Sequence, residues 1–152
     1  MSYAESTTVD TARSVAEMER TIRRFGATQF MSGWDDETGS AVVGFKARGF
    51  ICRFRIPIPN PDSDEFWQTE PGRARQASDA RQAHEQAVRQ RFRSLALVVK
   101  AKLVAVDDGV ATFEREFLPY IVLPDESTIG DRVSASLPAV LAPGERPPLL
   151  PA

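Results

Sequence analysis

The stretch from Ser78 to Val106 constrains this chain more than any other. Apolar residues recur there at Val88, Phe92, Leu95, Val99, Leu103 and Val106, in steps of three and four, the period of one face of an α-helix. In its second half, SLALVVKAKLVAV, the positions away from that seam are apolar too: Leu97, Val98, Ala101 and Val104. A helix that is apolar nearly all round is buried on both sides. This reading therefore predicts a cover over the helix's back, supplied by the C-terminal third of the chain or by a second subunit. Leu97, Val98 and Val104 become the candidate interface residues.

What precedes the long helix reads as a helix followed by strands. Val15, Met18, Ile22 and Phe25 form one stripe of an amphipathic helix over Asp10–Phe25, with Asp10 or Thr11 able to cap its start and Gly26 to end it. Residues 1–9 are polar and expected to be loose. Strands are predicted over Thr28–Trp34, Ala41–Arg48 and Phe50–Ile58, with a polar turn at Asp35–Gly39. In the third, Phe50, Cys52, Phe54, Ile56 and Ile58 alternate with Ile51, Arg53, Arg55 and Pro57, giving one core face and one basic face. Residues 59–73 form an acidic, Pro-rich loop carrying Phe66 and Trp67.

After the long helix, Asp107-Asp108-Gly109 is a stop. Thr112 can cap a short helix bearing Phe113, Phe117 and Leu118, and Tyr120–Leu123 is either that helix's end or a short strand. Ser127 or Thr128 can cap a last helix with Ile129, Val133 and Leu137, broken by Pro138. Residues 142–152 are a Pro-rich tail. The whole predicts one α+β domain over 1–141: an N-terminal helix, an antiparallel sheet of three or four strands, the long helix on one face, and C-terminal helices behind it. At 152 residues the chain can bury a core of its own.

The net charge of −2 hides a segregation. Between Arg73 and Lys102, eight Lys and Arg face two acids, a local +6 that leaves −8 on the rest. Such asymmetry marks either an anion-binding surface or a solvated helix carrying its charges outward. On the sheet, Lys46 and Arg48 would share a face with Arg53 and Arg55, close enough to merge into one patch. Arg89, Arg91 and Arg93 add cations on the flanks of the long helix. The aromatics that usually stack bases beside such a patch are missing from this face. Trp34, Phe66 and Trp67 are the ones that could reach it.

Chemistry-bearing constellations are sparse. One cysteine gives neither a disulfide framework nor a multi-Cys metal site, and one histidine gives no His-rich centre. Cys52, at an inward strand position, reads as a small buried hydrophobe rather than a nucleophile. His84, beside Glu85, has no motif around it and reads as a surface histidine. The helix–strand–strand–strand–helix order is shared with a nuclease core, but AVVGFKAR and FICRFRIPI carry no acid to hold a metal. No Gly-rich phosphate loop occurs, and no metal or cofactor is expected. The longest apolar run, Leu95–Val99, is far too short to span a bilayer, and MSYAESTTVD lacks the features of a signal peptide, so a cytoplasmic protein is expected.

The stretch RFRSLALVVKAKLVAVDDGVATFEREFLPYIVLPD over Arg91–Asp125, the following Ser127-Thr128-Ile129-Gly130, and the earlier RTIRRFGATQFMSGW resemble a family of small proteins carried by actinobacterial phages and prophages. The resemblance implies a phage-encoded protein of the bacterial cytoplasm and carries over no functional residue. Such proteins are often accessories of DNA metabolism or host-directed adaptors. Two functions are thus expected. The first is a non-catalytic accessory that binds DNA or RNA through Lys46, Arg48, Arg53, Arg55, Arg89, Arg91 and Arg93. The second is a protein-interaction adaptor, homo-oligomeric or host-directed, that uses Leu97, Val98, Val104 and the Pro-rich tail.

Overall fold

A computed structural model describes residues 3–69, 72–142 and 144. In chain order its elements are α1 (Tyr3–Arg24), β1 (Gln29–Asp35), β2 (Ser40–Ala47), β3 (Phe50–Pro57), α2 (Asp64–Trp67), α3 (Ala77–Asp107), α4 (Phe113–Phe117), a 3₁₀ turn at Leu118–Tyr120, and α5 (Ile129–Leu141). This is the α+β fold expected. The tail over 142–152 lies, apart from Ala142 and Gly144, outside the described residues. Helix α1 starts at Tyr3 rather than Asp10. No Gly or Pro interrupts Tyr3–Asp10, so the helix runs through its candidate caps.

The three strands form one antiparallel sheet in the order β1-β2-β3. Register places Phe30 opposite Phe45 and Phe45 opposite Cys52, and likewise Trp34, Ala41 and Ile56 in one row. Directly opposed residues share a face. Phe45, Val43 and Ala41 therefore join Cys52, Phe54 and Ile56 beneath the helices, and all six are buried. Helices α1 and α3 cover this face together, with Met18, Ile22, Val88, Phe92, Val99 and Leu103 completing the core.

Strand β2 ends one residue earlier than the sequence suggests. Its connection to β3 is the two-residue turn Arg48-Gly49, with φ of +51° and +83°. Positive φ at both positions is what a type I′ hairpin turn demands, and the sheet's own twist favours that turn.

Thr112 caps α4 as expected, its hydroxyl accepting from the Arg115 N–H at 3.3 Å. The helix turns Phe113 and Phe117 inward. Phe117 meets Phe45 and Phe54 edge-on at 5.7 and 6.3 Å and stacks on Phe113 at 4.6 Å. Tyr120 ends the 3₁₀ turn, stacked on Phe54 at 4.1 Å. The next residue, Ile121, bridges Cys52, and the Val122 N–H donates to the Ile51 carbonyl at 2.8 Å. Helix end and strand stub thus follow one another at the outer edge of β3.

Among the described residues, nothing supplies the predicted cover over the back of α3. Leu97 is 68% exposed, and Val98 and Val104 are exposed as well. The C-terminal segment is drawn elsewhere: α4 into the core, and α5 against the 3₁₀ turn beside β3, where no α5 side chain is buried. The two-sided apolar pattern of α3 therefore marks a surface left uncovered by the described residues.

Candidate interaction surfaces

The cations expected on one sheet face are divided. Lys46, Arg53 and Arg55 do lie on the open face, by the register that alternates them with the core residues. Arg48 does not. As a turn residue it leaves the ladder, and its guanidinium stands 5.7 Å from the centre of the Phe113 ring, at the helical side. Arg55 is engaged at the β1–β2 turn: its Nη1 donates to Ser40 Oγ at 2.9 Å and Thr38 Oγ1 at 3.2 Å, and lies 3.5 Å from Asp35 Oδ2. Arg53 donates to the Glu126 carbonyl. Both arginines line a hollow that also contains Thr128, Gly130 and Asp131 at the start of α5.

The acids there are held ionised. The Thr128 hydroxyl, bonded within the α5 capping box, is the main reason the Asp131 carboxyl sits below the ordinary range, with Arg53 and Arg55 adding attraction. Asp35 is lowered chiefly by the Thr38 side chain, then by backbone N–H groups of the same turn, and only slightly by Arg55. Asp125, one turn before α5, falls to about 2 because the Ser127 hydroxyl and then Arg132 bond its carboxylate, at 2.6 and 2.5 Å.

The helical cations face other directions. Arg91 and Arg93 are exposed on α3, and Arg89 is half-buried and engaged within the fold. Lys102 pairs with Glu116 at 3.1 Å and lies 5.4 Å from the Tyr120 ring centre. Because α3 lies on the covered face, its cations and those of the open face do not form one groove. Tyr120 shares the hollow of Arg53 and Arg55, but Trp34 and Phe66 do not join the open face. Trp34 belongs to the helical side, 5.7 Å from Phe92, and Phe66 is buried against His84.

His84 is a clamp rather than a surface residue. Its Nε2 lies 2.8 Å from the Pro59 carbonyl, which can only accept, so Nε2 carries the proton. With Phe66 packed edge-on at 5.3 Å, it ties the 59–73 loop to α3. The Trp67 indole N–H donates to the Pro61 carbonyl at 2.9 Å within that loop. Cys52 is fully buried, and burial pushes its thiol up to about 12, which leaves it protonated and unreactive at neutral pH. Among the described residues, no three His, Cys, Asp or Glu side chains are grouped so as to hold a metal, and no helix is long and apolar enough to cross a membrane.

Ile51, Trp67, Val110 and Leu118 are exposed singly, and the other large apolar side chains at the surface fall in groups on three elements. On β1 they are Met31 and Trp34, the latter 62% exposed. On α3 they are Leu97, Val98 and Val104. On α5 they are Val133, Leu137, Val140 and Leu141, spaced by four, three and one, one helical stripe left exposed among the described residues. Two grooves of about 570 Å³ flank the sheet. One lies beside β1, between it and α1, lined by Val15, Ala16, Ser32, Gly33 and Trp34 among others. The other lies on the open face, over Met31, Gly44 and Ile51 with Lys46 and Arg53 at its margin. The β1 and α5 surfaces escaped the sequence reading. The uncharged run Phe30–Trp34 was a signal for the first, and the small, uncharged helix VSASLPAVL for the second. Comparison with protein-family models, with characterised proteins and with solved structures finds no match to this chain.

Proposed function

We propose that this protein is a non-catalytic interaction module that assembles with protein through apolar surface. One observation carries the reading: β1, α3 and α5 each present large apolar side chains to solvent, while the cations are dispersed and partly engaged. Scattered single apolar residues are ordinary, whereas grouped ones mark contact surfaces. The buried thiol and the loop-clamping histidine have structural work that accounts for them. Sedimentation velocity across micromolar to sub-millimolar protein tests the reading. Concentration-dependent association is expected, and a strict monomer throughout overturns it.

A second reading is favoured by one feature, the placement of Lys46 and Arg53 at the open-face groove, with Arg55 beside Arg53 in the neighbouring hollow. It makes the protein an accessory that binds single-stranded DNA or RNA, in keeping with the phage resemblance. Fluorescence anisotropy with single- and double-stranded probes decides it. Phosphate-driven binding is strongest at low salt, so no binding there removes this reading.

A further inference from the structure

We propose that β1 is the seam of a symmetric dimer, pairing antiparallel with β1 of a second copy so that two three-stranded sheets become one of six strands. This rests on the reading of the protein as an interaction module and names the surface and its occupant.

The outer edge of β1 has no ladder partner among the described residues. Hydrogen-bond alternation shows which groups it offers. The Ile58 N–H donates to the Gly39 carbonyl, so Gly39 and Ile58 are a hydrogen-bonded pair. Pairs alternate along an antiparallel ladder. Odd-numbered residues of β2 therefore bond β3, and even-numbered ones bond β1 at Gln29, Met31, Gly33 and Asp35. The N–H and C=O groups of Phe30, Ser32 and Trp34 are left pointing outward. Sheet proteins protect such an edge with Pro, Lys, a bulge or a covering element. QFMSGWD contains neither Pro nor Lys and pairs with β2 in unbroken register from Gln29 to Asp35.

The occupant follows from the strand's own sequence. Read antiparallel against itself about Ser32, it sets Phe30 opposite Trp34, Met31 opposite Gly33, and Gln29 opposite Asp35. Opposed residues share a face, so two aromatic pairs form on the helical side, the pairing most favoured across strands. There the partner's aromatics meet the groove between α1 and β1, about 570 Å³ with Trp34 in its wall. On the open side Met31 meets the bare backbone of Gly33, around which a Cβ would find no atom within 4 Å. No like charges are opposed: Gln29–Trp34 is uncharged, and the two Asp35 carboxylates lie at opposite ends of the ladder. Three outward-facing residues per strand give six inter-chain backbone hydrogen bonds, within the span of about 10 ± 5 found in stable interfaces. Trp34 and Met31, 62% and 55% exposed in the monomer, are then covered.

Position-specific cross-linking of the full chain by a short bis-maleimide, alongside sedimentation velocity, tests this. Buried Cys52 gives a low background. The two copies of residue 32 are adjacent in the proposed register, whereas the two copies of residue 29 are separated by six residues of strand, roughly 20 Å. Ser32→Cys is expected to give covalent dimer and Gln29→Cys none. Ser32→Pro removes an outward-facing N–H, a place where an edge strand tolerates proline. It is expected to weaken association about tenfold or more, with the circular dichroism spectrum kept. An associating wild type whose Ser32→Cys variant does not cross-link, or whose Gln29→Cys variant cross-links as readily, overturns the β1 seam and leaves the interaction reading standing. A wild type that stays monomeric overturns both.

Discussion

Helix α5 touches the body at one tight point, and Gly130 is that point. A methyl group added there would stand 2.7 Å from the Pro119 carbonyl oxygen, 3.2 Å from its Cβ and 3.3 Å from its carbonyl carbon. The obstacle is backbone, so a rotamer change cannot relieve it. Two effects oppose each other in Gly130→Ala. Replacing glycine inside a helix gains up to about 1 kcal/mol of propensity. Overpacking against a fixed wall costs about 1–3 kcal/mol.

The wall is the firmer side. Pro119 is followed by Tyr120, stacked on core residue Phe54, and Ile121, bridged to Cys52. Helix α5 buries no side chain of its own and is held by the capping box, the Ile129 N–H on the Ile121 carbonyl at 3.0 Å, and half-buried Ile129. The helix therefore gives way. A net loss of about 1–2 kcal/mol raises local opening roughly 5- to 30-fold. Native-state hydrogen exchange should show that acceleration over Arg132–Ala142, while β2, β3 and α3 keep their protection and the melting temperature barely moves. Slower exchange in α5 together with a raised melting temperature would mean that propensity wins, and would refute the close approach at Pro119.

Four further outcomes are expected. Phe117→Ala empties the centre of the aromatic cluster and should cost about 3–5 kcal/mol, read as a large drop in the urea midpoint; a loss under 1 kcal/mol would contradict the packing of α4 described above. The Cys52 thiol should resist a thiol reagent in the native state and react at once in guanidinium; native reactivity near that of a free cysteine would show that it is accessible. Because its folded pKa of about 12 lies above the unfolded value near 8.5, the folded state favours the neutral thiol. Its contribution is intact below pH 8.5 or so and declines toward pH 12, and the difference in melting temperature between wild type and Cys52→Ala should shrink over that window. Asp125 is lowered instead, so its share of stability holds above about pH 4 and is lost as pH falls toward 2; its carboxyl carbon should titrate in NMR with a midpoint near 2 in wild type and move upward in Ser127→Ala.

Periodicity exposes what a single element does with its own residues, and here it exposed much. The seam of α3, the alternation of β3, the Thr112 cap and the narrowing of the α5 cap to Ser127 or Thr128 were legible because each depends on residues within a turn or two. The misreadings arose where the answer depends on a second element. Arg48 continues the polar alternation of β2 after Lys46, yet hairpin closure needs two residues at positive φ, and that removes Arg48 from the face it was assigned to. Leu97, Val98 and Val104 carry the mark of a doubly buried helix, but periodicity records only that a surface is apolar and is blind to which body covers it.

The same limit bears on β1 and α5. In a lone chain of 152 residues with a complete core, apolar residues left on a strand edge and along a separate helix contribute little to folding. Their grouping is better explained by surfaces made to meet something outside the fold. The strand edge, whose side chains complement themselves about Ser32, has the more specific answer, because a register can be written for it residue by residue. The stripe on α5, held to the body at Gly130 and otherwise left bare by the described residues, has no such self-matching pattern. If α5 also serves the assembly, Gly130→Ala should loosen it without dissolving a β1-paired dimer, so the two surfaces can be separated by one substitution.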